Sequence, residues 1–435
     1  MERKYSDQIT PDMDGQEVKV AGWIHDKRKL GGLLFLVLRD RGGLMQVTLP
    51  KKHVSPEVFE TARSLSKESV VSIKGKVRRE DRAPRGYEVI PEQLDVLSRA
   101  ATPLPLDPTG KVGVNLDTRL DNRVLDLRRA EVSAIFRIRD AILTAGRNYL
   151  KERGFVEIQS PRIISTSSEG GTELFPISYF EKEAFLAQSP QLYKQMMMAT
   201  GLDRVFEIAT YFRAEEHDTI WHLNEVTAID CEMAFIKDEN DVMDLIEELV
   251  VAMIEEIKDK CRDQLEVLKK EIPEPETPFP RIKYKDALKM LDEAGLKVPF
   301  GEDLGSESEK KLGEIMLEKG SRLYFVTKFP LKIKPFYTMP DSDPTYSNSF
   351  DLEYKGREMV SGSQRIHDYD LLVKMIKEKG LNPENFKPYL NAFKYGMPPH
   401  GGFGLGVERF LMLLLDLPNI REAVLFPRDR KRLEP

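Results

Sequence analysis

Between positions 205 and 235 the chain reads VFEIATYFRAEEHDTIWHLNEVTAIDCEMAF, and no other stretch restricts the fold as much. Apolar and polar residues alternate with a period of two on either side of a polar loop, the pattern of two β-strands. On the first, Phe206, Ile208, Thr210 and Phe212 share one face, while Val205, Glu207, Ala209, Tyr211 and Arg213 share the other. On the second, Thr227, Ile229, Cys231, Met233 and Phe235 alternate with Val226, Ala228, Asp230 and Glu232. Each strand therefore has an apolar face and a face carrying fixed charge. Such a pair either binds something polar or is a half-exposed amphipathic hairpin; its own residues leave both readings open.

At 435 residues, with 41% hydrophobic and 32% charged residues, the chain has the make-up of a globular protein of two or three domains. No apolar run is long enough to span a bilayer, and MERKYSDQIT carries no secretory signal, so no membrane role is expected. Two cysteines, Cys231 and Cys261, without a CxxC, argue against a disulfide framework or zinc site and fit a reducing cytoplasm. The net charge of −6 hides an asymmetry. Residues 1–100 hold 19 Lys+Arg against 15 Asp+Glu, a balance of +4, and nucleic-acid affinity follows local rather than total charge.

Residues 17–98 read as five short strands with a helix at about 56–66 between the third and fourth, which suggests an oligonucleotide-binding (OB) barrel or another small β-barrel. A Pro-, Gly- and Asp-rich stretch, 101–129, reads as a hinge. Ile135, Ile138, Ile142, Ala145 and Tyr149 then step by three and four along a helix that ends near Gly154. Further on, YSNSFDLEYKGREMVSG (346–362) predicts a hairpin turning at Lys355-Gly356. Pairing Tyr354 with Arg357 sets Glu353 opposite Glu358, with Asp351 diagonal to Glu358. Like charges side by side in a sheet are unfavourable unless a cation lies between them, an argument for a bound magnesium ion or, failing that, a solvated acidic hairpin. The run Gly402, Gly404, Gly406 is compatible with a phosphate site or with tight strand packing. No GxxxxGK[ST] occurs, so a P-loop ATPase is excluded.

Three segments in this order carry a family resemblance. FRAEE…HLNEVTAIDCEM resembles motif 2 of the class II aminoacyl-tRNA synthetases, in the wording of the aspartyl and asparaginyl branch. GFVEIQSPRI (154–163) resembles motif 1, and GGFGLGVERFLMLLL (401–415) resembles motif 3. With the amino-terminal strands, the likeness covers nearly the whole chain and is to the archaeal type of aspartyl-tRNA synthetase. It implies an α+β fold: a five-stranded OB-fold anticodon-binding domain at 1–101, a hinge at 102–130, and a class II catalytic domain at 131–435. That domain is expected to be an antiparallel sheet flanked by helices, with a helical insertion at about 273–320. The implied activity is a cytoplasmic, homodimeric ligase that joins L-aspartate to ATP with Mg²⁺ as cofactor and transfers aspartate to tRNA(Asp). Pro161 would lie at the dimer interface.

The site residues follow from the same resemblance. Arg213 would contact the α-phosphate and the amino-acid carboxylate, Glu215 the adenine amino group, and His222 would stack on adenine with Trp221 and Leu223 beside it. Arg409, presented after Gly406, would lie by the γ-phosphate. Asp351, Glu358 and Ser361 fall on metal positions, although simple alternation turns Ser361 to the other face unless a bulge intervenes. Arg213, Arg409 and Glu358 are the residues expected to carry catalysis, by electrostatics and proximity rather than by a nucleophile.

Aspartate is implied by Lys194 and Arg365, which match two cations that hold the substrate's side-chain carboxylate. A neutral amide would leave one such buried cation unpaired. Glu169 would take the α-ammonium beside Gln191, on a Ser/Gly-rich lid at 165–172; Ser361 would also face the substrate. In the barrel, Phe35 and Gln46 match residues that stack on and hydrogen-bond the central anticodon base, Phe35 being otherwise an ordinary core aromatic. His25 and Pro84 stand where discriminating relatives carry tryptophan and lysine near the third base, which implies that tRNA(Asn) is charged as well. The rivals are a strictly tRNA(Asp)-specific enzyme, an asparaginyl enzyme (opposed by Lys194), a non-catalytic RNA-binding paralogue, and an asparagine synthetase on the same core, which would lack the barrel.

Overall fold

Alternating apolar residues close the amino-terminal strands on themselves. In the computed structural model, which describes residues 1–165 and 173–435, β1 (Glu17–Leu30), β2 (Leu33–Asp40), β3 (Gly43–Pro50), β4 (Val70–Arg79) and β5 (Tyr87–Ser98) form a closed barrel in the order β1-β2-β3-β5-β4. Val20, Ile24, Leu36, Leu38, Val47, Ile73 and Val89 fill it. Helix α1 (Pro56–Ser64) joins β3 to β4; the Ser55 hydroxyl accepts from the Val58 N–H, and Pro56 sets the first turn.

The stretch read as a hinge is more ordered than its composition suggests. It holds α2 (Leu116–Asp121) and α3 (Arg123–Asp126), and the chain divides into two compact units, Met1–Arg129 and Ala130–Pro435, which places these helices with the barrel. The cause is polar. Buried Asp126 receives Arg123 at 2.6 Å and Arg119 at 2.9 Å, and this ion-paired knot stands in for an apolar stripe.

The second unit begins with α4 (Ala130–Glu152), whose buried stripe includes Ile135, Ile138, Ile142 and Tyr149. Next come β6 (Val156–Glu157), β7 (Ile163–Ile164), β8 (Pro176–Tyr179), β9 (Lys182–Leu186), α5 (Gln191–Met197) and the hairpin of β10 (Arg204–Phe212) and β11 (Glu225–Ala234). Helices α6 (Glu239–Lys260) and α7 (Arg262–Leu268) lead to β12 (Arg281–Lys283), α8 (Tyr284–Glu293), α9 (Ser306–Glu318) and β13 (Leu323–Thr327). The chain closes with β14 (Ser349–Tyr354), β15 (Glu358–Arg365), α10 (Tyr369–Glu378), α11 (Lys387–Lys394), β16 (His400–Gly406) and α12 (Val407–Leu414).

Eight strands form one sheet in the order β12-β13-β14-β15-β16-β11-β10-β6, and β7-β9-β8 form a small second one. The centre is antiparallel, but β12 on β13 and β6 on β10 run parallel, so the sheet is mixed rather than wholly antiparallel. Phe206, Ile229, Phe350, Val360, Phe403 and Leu405 belong to one apolar core with the buried stripes of α4 and α6. The 273–320 region adds an edge strand as well as helices, around its own cluster of Tyr284, Leu312 and Phe329. Among the described residues no helix is long and apolar enough to cross a membrane.

Candidate active site

The charged face of the β10–β11 hairpin is not a solvated surface. Register places Glu207 opposite Asp230 and Val205 opposite Glu232, and all three carboxylates are buried. Glu207 is clamped by the motif 1 segment: the Ser160 N–H donates at 2.9 Å, its hydroxyl at 2.7 Å, and Arg162 at 2.6 Å. Asp230 accepts from Lys194 Nζ at 2.8 Å, and Glu232 accepts from Arg365 Nε at 2.9 Å and Nη2 at 3.3 Å, with Lys194 at 3.6 Å. Lys194 also donates to the Phe403 carbonyl at 2.9 Å, and Arg365 Nη1 to the Ser363 hydroxyl at 2.7 Å.

Lys194 and Arg365 thus have acidic partners within the protein. At 2% and 4% exposure each would be costly to bury alone, by several kcal/mol, and two acids of β11 neutralise them. Burial pushes the Glu232 carboxyl up, but Arg365 and Lys194 prevail and hold it below its usual value. Gly402 of β16 makes room for Glu232. A Cβ on Gly402 would lie 2.1 Å from Glu232 Oε2 and from the Cys231 carbonyl, and one on Gly404 would lie 3.4 Å from Asp230 Oδ1. Packing thus accounts for Gly402, whereas a Cβ at Gly404 would make only ordinary contact.

Above this layer opens a cavity of about 480 Å³, lined by all of the predicted Gln191, Arg213, Glu215, Trp221, His222, Leu223, Glu358, Ser361, Arg365, Gly406 and Arg409. Arg213, half-exposed, follows β10, with Nη1 3.8 Å from Glu215 Oε1. Glu215 Oε2 lies 3.9 Å from His222 Nε2, and His222 Nδ1 lies 2.6 Å from the Thr219 hydroxyl. Burial lowers the His222 pKa, more than Glu215 raises it, which favours a neutral ring. Leu223 is buried against Met412 and Ile420. Arg409 sits in the first turn of α12 and donates to the Glu358 carbonyl at 3.1 Å, with Glu358 Oε1 at 3.6 Å. Gln191 Nε2 and the Tyr211 hydroxyl are buried at the cavity wall without a hydrogen-bond partner among the described residues. Tyr211 and Lys334 were not anticipated; Tyr211 had a signal, since it alternates in phase with Glu207 and Arg213. Glu169 and the lid positions 166–172 lie outside the described residues.

At Lys355-Gly356 the chain turns as predicted, with φ of +52° and +75° and paired Tyr354–Arg357 backbone bonds of 2.9 and 3.1 Å. Glu353 pairs with Glu358, and Met359 is bulged out. The bulge brings Ser361 directly opposite Asp351, as its expected metal position requires, while Asp351 stays diagonal to Glu358 across the Glu353–Glu358 pair. Asp351 Oδ2 accepts from Lys334 at 3.0 Å, whereas its Oδ1 is buried with no partner among the described residues. Desolvation within the cavity, then Asp351, raises the Glu358 pKa. Glu353, beneath them, is pushed up to about 8 by burial, against the Tyr324 hydroxyl that donates to it at 2.6 Å. Among the described residues no three His, Cys, Asp or Glu side chains are grouped to cage an ion. An orphaned carboxylate oxygen near a second carboxylate would suit a magnesium ion, which takes few protein oxygens and completes its shell from elsewhere.

In the barrel, Phe35 lies on the outer face, outside the core, with the Arg28 guanidinium 5.1 Å from its ring centroid. Gln46 is on the same face, but its Nε2 donates to buried Glu88 at 2.9 Å, so that donor is already occupied. His25 forms a bulge in β1, its Nδ1 3.1 Å from Arg39 Nη1; Arg39 in turn grips Glu68 at 2.6 Å. Burial and then Arg39 lower the His25 pKa. Pro84 is exposed in the turn between β4 and β5.

Residues 115–430 match the family described as tRNA synthetases class II (D, K and N), and residues 18–97 match the OB-fold nucleic acid binding domain. The chain is 56% identical over 433 residues to an aspartate–tRNA(Asp) ligase of Thermococcus kodakarensis, covering 99% of each. It is 55% identical over 431 residues to an aspartate–tRNA(Asp/Asn) ligase of Methanopyrus kandleri, again covering 99% of each. Among solved structures, the asparaginyl-tRNA synthetase of Pyrococcus horikoshii with asparaginyl-adenylate superposes with a TM-score of 0.94 at 36% identity, over 100% of both chains.

Proposed function

The chain belongs to the class II tRNA synthetases of the D, K and N group, and from this we propose that it is an aspartate–tRNA ligase that also charges tRNA(Asn). The observation that carries the choice of amino acid is the donor set beneath the cavity. Among the described residues, Glu232 and Ser363 occupy three of the five N–H groups of Arg365, and Gln191 Nε2 has no acceptor. A wall of donors suits the acceptor-only carboxylate of aspartate. The amide of asparagine would turn its own N–H groups toward them. Asp230 and Glu232 hold Lys194 and Arg365 in place for this contact.

In the first half-reaction an α-carboxylate oxygen of aspartate attacks the α-phosphorus of ATP, a P–O bond forms, and the bond to the β-phosphate breaks to release pyrophosphate. Arg213 holds the two anions together, and Arg409 draws charge toward the leaving group. Glu215 accepts from the adenine amino group while neutral His222 lies against the ring, flanked by Trp221 and Leu223. Asp351 and Glu358, with Ser361 opposite Asp351, would hold Mg²⁺, which supplies charge neutralisation on the phosphates. The tRNA 3′-terminal hydroxyl then attacks the adenylate carbonyl, and AMP leaves.

The barrel is the anticodon-binding element, with Phe35 stacking on a base. Overall identity does not separate the two kinds of relative, at 56% and 55%. His25, held by Arg39, and Pro84, which lacks a charge, favour tolerance of either third base. A cytoplasmic homodimer with Pro161 at its interface completes the reading. Aspartate-dependent exchange of pyrophosphate into ATP tests the activity; its absence would favour an RNA-binding paralogue. Charging of tRNA(Asp) and tRNA(Asn) transcripts tests the breadth, and a preference above about 10²-fold for tRNA(Asp) would end that part.

A further inference from the structure

We propose that Arg357 is a positioning residue for ATP, which fixes the indole of Trp221 in the cavity wall and ties it to helix α9; the inference rests on the ATP reading above. In sequence Arg357 is only the residue after a Lys-Gly turn. In the structure its guanidinium carbon lies 4.9 Å from the Trp221 ring centroid. The other side of the group is anchored: Nη1 donates to the Ser306 carbonyl at 3.0 Å and to Glu309 Oε2 at 3.3 Å. Helix α9 itself is seated on the turn through a glycine contact, since a Cβ on Gly313 would lie 2.4 Å from Gly356 N.

Trp221 needs such a clamp. It belongs to the polar segment between β10 and β11, and it packs on its other side against the cluster of Leu223, Met412 and Ile420. A guanidinium stacked on an indole and held by its own hydrogen bonds restricts the ring to one orientation. That preorganises the cavity wall before the nucleotide arrives, and the saving appears as nucleotide affinity. Glu358, the next residue after Arg357, lines the cavity, so α9 bears on the cavity wall through Arg357 although it does not line the cavity itself.

The chain has two tryptophans, so Trp23→Phe leaves Trp221 as the sole indole reporter. In that background Arg357→Ala should raise the KM for ATP about three- to thirtyfold in pyrophosphate exchange, with kcat and the KM for aspartate within about twofold. Its emission should shift to the red without ligand, while Arg357→Lys stays nearer the parent in both readouts and serves if the alanine variant does not fold. On Trp221→Ala, removing Arg357 should add no further penalty. An unchanged KM for ATP with unchanged emission, a parallel rise in the KM for aspartate, or an undiminished penalty on Trp221→Ala would overturn the proposal. Parent protein that exchanges no pyrophosphate would sink the ATP reading, and this inference with it.

Discussion

Lys194, Asp230, Glu232 and Arg365 form a closed set of two positive and two negative side chains under the cavity. Lys194→Met would strand Asp230 as a buried carboxylate without its ammonium, so kcat/KM for aspartate should fall by at least about 10²-fold in pyrophosphate exchange. Lys194 and Arg365 were legible from their motifs; their partners were not, because pairs separated by 36 and 133 residues leave no local spacing to read. Beside Glu232, fully buried His400 faces Arg365 and His367 as well, donates through Nδ1 to the Pro398 carbonyl, and is lowered by burial to about 4. Its folded pKa lies below the ordinary 6.5. The neutral ring therefore contributes stability above about pH 6.5 that is lost as pH falls toward 4, up to about 3 kcal/mol. Melting curves across that window should show His400→Gln flattening the decline relative to the parent.

For the elements, the Lys355-Gly356 turn could be read directly, since the two left-handed positions suit a primed turn. The bulge at Met359 could be inferred only as a requirement for Ser361, because nothing in the local sequence forces it. It sets Asp351 and Ser361 face to face, and Asp351→Asn should raise the Mg²⁺ concentration for half-maximal exchange at least about tenfold, measured at saturating ATP. Gly402 of β16 was ambiguous in sequence because the acid it accommodates lies on β11, a neighbour fixed only by the sheet order. Gly402→Ala would press a Cβ onto Glu232 and the Cys231 carbonyl, where backbone must move, costing about 1–3 kcal/mol and lowering the melting temperature.

At the scale of the molecule, the barrel and the core of the sheet were visible as period-two alternation, and α4 as a period of three to four. The 102–129 helices were not, because ion pairs on Asp126 rather than an apolar stripe hold them. If, as proposed, the barrel sets the range of RNA, His25→Trp with Pro84→Lys should raise the preference for tRNA(Asp) over tRNA(Asn), with little change in exchange, which involves no RNA. The catalytic unit sets the amino acid, and the most direct measurement is pyrophosphate exchange driven by aspartate or by asparagine in parallel. A donor-lined floor predicts aspartate favoured in kcat/KM by at least about 10²-fold; comparable exchange with asparagine would contradict it.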